Sequence, residues 1–168
     1  MEHSAREQRV AARVRELARD RRALRHALEQ FADGEAFARV WASDDPAEIN
    51  SRDQVERPYE RIVNDLQEII DFCEAEEAER GMANPTHEDD DPGRWRRAAL
   101  RGYLSHAQAG RLQVIARGRQ RFAHHYADLP ARHGAEVFER ADELLVELPR
   151  AMRGLGRWIS ALWPPRSP

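Results

Sequence analysis

The chain has 168 residues, 41% of them hydrophobic and 34% charged, with a formal net charge of -3: enough apolar material for one compact domain with a short appendage, and too much charge for a membrane protein. No stretch approaches about 18 uninterrupted apolar residues, and the opening MEHSAREQRV lacks the apolar core of a signal peptide, so a cytoplasmic protein is expected. Cys73 is the only cysteine, which excludes an intrachain disulfide framework and a cysteine-built metal site.

The pattern is helical nearly throughout, with no convincing strand. A first helix over about residues 4 to 32 carries Val10, Val14, Leu17, Leu24, Leu28 and Phe31, with Arg21 filling one place in the stripe. After ADGEAF, residues Glu35 to Ala42 form a short helix, and SDDPAEINSRDQ reads as a polar connection with turn formers. A third helix over about 54 to 80 presents Val55, Tyr59, Ile62, Leu66, Ile69 and Cys73 at spacings of 4, 3, 4, 3 and 4. Two such seams predict antiparallel packing of the first and third helices, with Cys73 in the core.

RGMANPTHEDDDPG is the clearest loop. His87 beside Glu88, Asp89, Asp90 and Asp91 reads as a solvated acidic loop with a helix cap, because adjacent residues on a loop seldom converge on one metal ion. A helix from about Pro92 to Ser105 follows, then one from Ala107 to Leu129 ended by Pro130. The last begins near Arg132, carries Val137, Ala141, Leu144, Leu145 and Leu148, is interrupted near Pro149, and resumes in MRGLGRWISALW before a PPRSP tail expected to fray. The fold class expected is all-α, an antiparallel bundle of about five or six helices.

Charge is unevenly distributed. Residues Glu60 to Asp91 are dominated by acids, whereas Gly93 to Ala127 holds no Asp or Glu and carries Arg94, Arg96, Arg97, Arg101, Arg111, Arg117, Arg119 and Arg121. That block is a candidate anion surface, with a face neutralised by the preceding acidic helix as the alternative. The chain contains no lysine, so arginine richness by itself is discounted.

Within the block, one helix has the seam Leu112, Ile115, Arg119, Phe122, Tyr126 and Leu129, spaced 3, 4, 3, 4 and 3. Arg119 stands where a leucine would be expected. Burying an unpaired guanidinium is costly, so the position calls for a carboxylate partner, an opening to solvent or an anionic ligand. At about 100° per residue, Arg119 and Tyr126 point nearly the same way, while Gln120 and His124 share a neighbouring face. A twofold dimer would bring two such sets around one cleft. Imidazole can move a proton at neutral pH, and a guanidinium can hold a phosphate and stabilise developing charge. Together they suit metal-free cleavage of RNA, which uses the ribose 2'-hydroxyl as nucleophile; a structural cluster is the alternative from spacing alone. Ser105 and His106 are adjacent, so their side chains diverge, and a cap or turn role is expected there.

RQRFAHHY, Arg119 to Tyr126, matches the RX4HXY signature of the HepT-like branch of HEPN domains, and the flanking text from about residue 6 to 148 resembles that branch in its helical layout. The resemblance implies a HEPN-like homodimeric helical domain over 1–148, with 149–168 as a C-terminal extension. It implies a metal-independent ribonuclease acting as the toxin of a HEPN/MNT toxin-antitoxin pair, without a cofactor. Arg119 and His124 would be catalytic, with Gln120 and Tyr126 supporting. Arg117, Arg121 and His125 would contact RNA. The partner would be a small MNT-type nucleotidyltransferase that can transfer AMP to Tyr126, adding bulk and negative charge to the cleft. Gln120 departs from the usual Asn or small polar residue, which bears on turnover more than on fold. The extension, with Trp158, Ile159, Leu162 and Trp163, could pack on the domain or cover a dimer or partner surface. The rival reading is a non-catalytic helical module that binds a partner protein, nucleotide or RNA.

Overall fold

The computed structural model describes residues 5–41, 43–82, 93–120 and 131–165, and of residues 119, 120, 131 and 132 the backbone alone. These form six helices and no strand: α1 (Ala5–Leu28), α2 (Gly34–Trp41), α3 (Pro46–Glu79), α4 (Arg94–Leu100), α5 (His106–Gln120) and α6 (Ala131–Leu162). The all-helical bundle expected from periodicity is what forms. Among the described residues no helix is long and apolar enough to cross a membrane.

Helices α1 and α3 run antiparallel, as three sets of ion pairs show. Arg6 meets Glu76 and Glu79, Arg13 meets Asp65 and Glu68, and Asp20 meets Arg61, so partners move down α3 as they move up α1. Between these rows lies the predicted seam. Val55, Tyr59, Ile62, Leu66, Ile69 and Cys73 are fully buried, facing Leu17 and Leu24 of α1. Burial of the Cys73 side chain pushes its thiol up to about 12, reinforced by Glu77, so it remains an inert thiol in the core.

Helix α1 ends at Leu28, short of the expected residue 32, and three further features differ from the sequence reading. Helix α3 starts at Pro46, well before residue 54: Asp45 is its N-cap, accepting from the Ala47 N–H at 2.8 Å, and Pro46 occupies the first turn. The apparent turn formers are therefore the helix start, and the polar run after them its first exposed turns. Helix α4 stops at Leu100, where Gly102 adopts φ 77° and the Tyr103 N–H bonds back to the Ala98 carbonyl.

The third difference is Pro149, which lies inside α6 and does not interrupt it. Val137, Ala141, Leu144, Leu148, Ala151, Leu155, Trp158 and Leu162 form one buried seam that passes through the proline in register. An interior proline costs about 3 kcal/mol, and burial of Leu155, Trp158 and Leu162 beyond it, at about 1.5–3 kcal/mol for each large side chain, outweighs that. The aromatic residues after Pro149 thus pack on the bundle: Trp158 is buried, while Ile159 and Trp163 lie half-buried against the same core.

Trp158 also joins α6 to α3 and α4. Its Nε1 donates to Glu77 at 2.7 Å, Tyr103 stacks on its ring at 4.8 Å, and the Arg101 guanidinium lies 5.5 Å from the ring centre. The approach demands glycine at 154, since a Cβ there would sit 1.8 Å from the Tyr103 carbonyl oxygen. At the other end of α6, Phe138 packs with Phe31 and Phe37, fastening α6 to α2.

Candidate functional site

Helix α5 begins with a reciprocal cap. The Ser105 hydroxyl accepts from the Gln108 N–H at 3.1 Å, and Gln108 Oε1 accepts from the Ser105 N–H at 2.8 Å. This fixes the phase of the helix and gives Ser105 a structural role. Leu112 and Ile115 are then buried. The backbone stays helical through Arg119 and Gln120, so the Cα of Arg119 falls on the helix face that carries Leu112 and Ile115.

Tyr59 holds the turn just before Arg119. It is fully buried on α3, and its hydroxyl donates to the Ile115 carbonyl, the oxygen four residues before Arg119. Gly118 makes room for this contact, because a Cβ there would lie 2.9 Å from the Tyr59 hydroxyl. In the sequence Tyr59 reads only as a seam residue. A tyrosine in a row of aliphatic residues is the one hint, since a buried hydroxyl needs a partner.

Between α5 and α6 lies a cleft of about 310 Å³ lined by Val114, Arg117, Gly118, Glu136, Val137 and Arg140. Arg117 is exposed and has no acid partner among the described residues. Arg140 donates from Nη1 to Glu143 at 2.8 and 2.7 Å, and that hydrogen bond raises its pKa further above the ordinary arginine value. Arg140 was not singled out from the sequence. It stands among Glu136, Glu139, Asp142 and Glu143, where it reads as one more salt-bridging residue on an exposed helix face.

The rest of the acid-free block does not form an open anion surface. Arg94 pairs with Asp71, Arg97 with Glu74, Arg101 with Glu74 and Glu77, and Arg111 with Glu147, at 2.7 to 3.1 Å. Arg94–Asp71, Arg97–Glu74 and Arg101–Glu77 keep a sequence offset of 23 or 24, as α4 lies along the last turns of α3. The neutralised-face alternative therefore holds for Arg94, Arg97 and Arg101, and the expectation of one continuous anion surface is corrected. Arg117 is the predicted RNA contact whose side chain can be placed, and it borders the cleft. Arg121, His124, His125 and Tyr126 lie outside the described residues, as does the loop with His87, and the side chains of Arg119 and Gln120 are likewise undescribed.

No protein-family model, curated protein or solved structure matches the chain.

Proposed function

We propose that the protein is a metal-independent endoribonuclease of the HepT-like HEPN kind, the toxin of a toxin-antitoxin pair, acting as a homodimer. The observation that supports it most is the RX4HXY string in its setting: it starts in the last turn of α5, at the end of a buried seam, next to a cleft whose arginines α3 does not neutralise. In this reading His124 takes the proton from a ribose 2'-hydroxyl, whose oxygen attacks the adjacent phosphorus while the 5'-oxygen leaves with a proton returned by an imidazolium of the shared cleft. Arg119 stabilises the charge on the phosphorane. Gln120 orients one of the pair, and Tyr126 lines the catalytic cleft shared by the two protomers and accepts AMP from an MNT-type nucleotidyltransferase antitoxin.

The test is RNA cleavage in EDTA by unmodified protein, its Tyr126 mass checked, against His124→Ala and Arg119→Ala. The expected result is 2',3'-cyclic phosphate ends from the wild type and loss of about 100-fold or more in rate for each variant. Both variants should melt within a few degrees of the wild type, because polar groups serving a site seldom stabilise the core. Absence of cleavage by the unmodified wild type on varied RNAs would replace the enzyme with the non-catalytic binding module.

A further inference from the structure

We infer that the α5–α6 cleft is a subsite for a backbone phosphate of single-stranded RNA, gripped by Arg117 from one helix and Arg140 from the other. This rests on the ribonuclease reading and adds to it the way the substrate is held. Two residues along a helix put Arg117 about 160° around the axis from Arg119. The cleft therefore takes a phosphate other than the scissile one.

The walls suit that ligand. Arg140 gives Glu143 only its Nη1, so the donors on Nε and Nη2 remain for an anion among the described residues. Arg117, exposed on the facing helix, has no hydrogen-bond or ion-pair partner among the described residues. Glycine at 118 leaves the space between them open: a Cβ there would lie 3.7 Å from Arg140 Cγ. Val114 and Val137 give the cleft an apolar side for a ribose or base, and Val114 is 45% exposed. Glu136 sets an acid on the rim, leaving the lining with two cations to one anion. A volume of about 310 Å³ is at the lower end of ligand-sized clefts, enough for one nucleotide unit and too narrow for a duplex.

The experiment measures binding of a fluorescent, fully 2'-O-methylated single-stranded RNA, which lacks the nucleophile, to full-length wild type, Arg117→Gln, Arg140→Gln and Arg96→Gln at several salt concentrations. Arg96 is exposed on α4, away from the cleft, and serves as the control for general surface charge. Each cleft variant is expected to bind about tenfold more weakly, with the salt slope smaller by about 0.7, while Arg96→Gln binds as the wild type does. Should Arg140→Gln melt early, exposed Arg117 decides the matter. Cleft variants that bind no worse than Arg96→Gln overturn the subsite, even if the wild type cleaves RNA. Arginine-dependent binding by a protein that never cleaves keeps the subsite and sinks only the ribonuclease. An equal loss of affinity for duplex DNA would show a general polyanion face and overturn the assignment to single strands.

Discussion

The α3–α4 seam and the α5–α6 cleft are built with the same residue and put it to opposite uses. Arg97 on α4 and Arg101 just after it face Glu74 and Glu77 in largely buried ion pairs. On α5, Arg117 has no ion-pair partner among the described residues although Glu136 shares its cleft, and across the cleft Arg140 is only partly engaged. The difference teaches that an acid-free stretch of sequence does not make an anion site. What decides is the charge on the helix packed against it, and α3 supplies acids to α4 along a row that stops short of α5.

The seam should therefore break where its shared carboxylate is removed. Glu77 accepts from Arg101 at 2.8 Å and from Trp158 Nε1 at 2.7 Å, and the side chains of Arg101 and Glu77 are only 6% and 9% exposed. Glu77→Ala leaves a buried guanidinium short of one partner and an indole N–H without any. The expected cost is about 3–5 kcal/mol, read as a fall of roughly 10 °C in melting temperature. A fall of under 2 °C would mean that Glu74 alone satisfies Arg101, and the contrast between the two arginine sets would lose its force.

A smaller effect is expected on the cleft side. Tyr59→Phe removes the hydroxyl bonded to the Ile115 carbonyl without changing the apolar seam, so stability should drop by about 1–2 kcal/mol. Because that bond holds the turn before Arg119, cleavage should fall several-fold with KM little changed. Loss of stability with cleavage untouched would make Tyr59 a packing residue only.

How far the sequence leads can be judged from these same residues. Spacing of threes and fours located the α3 seam from Val55 to Cys73 and its antiparallel match with α1, since burial follows periodicity when one face is apolar throughout. It misjudged Asp45-Pro46 and Pro149, because proline marks a helix start in one place and is tolerated within a buried helix in the other. The partners of Arg94, Arg97 and Arg101 lie across a helix contact, and one-dimensional charge counting cannot pair them. In the site, the sequence marks Arg119 as a cation in an apolar seam, but Arg140 and the Tyr59 hydroxyl enter only through packing between helices distant in the chain.

The α1–α3 seam sharpens the comparison from the side of excess acid. Asp65 shares Arg13 with Glu16 and Glu68, and Asp20 lies nearby, so one guanidinium serves several carboxylates. Burial, followed by these acids and against the pull of Arg13, pushes Asp65 up to about 6 from an ordinary 3.8. Between those values the folded protein binds more protons at Asp65 than the unfolded chain does. The contribution of Asp65 to stability therefore falls as pH rises through roughly 4 to 6, and is constant above that. Asp65→Asn stays neutral throughout. Its stability relative to the wild type should thus improve between pH 4 and pH 7 by on the order of 1 kcal/mol, a discounted figure because Arg13 and Glu68 reach water. Paired denaturant melts at the two pH values check this, and the subtraction removes groups of opposite sign such as Glu76, which burial pushes up but Arg6 and Arg80 hold below the usual carboxylate range. If the difference stays constant with pH, Arg13 neutralises Asp65 fully. The Arg13–Asp65 pair would then resemble the matched pairs beside α4, and its contrast with the cleft between α5 and α6, where two arginines meet one lining acid, would stand sharper.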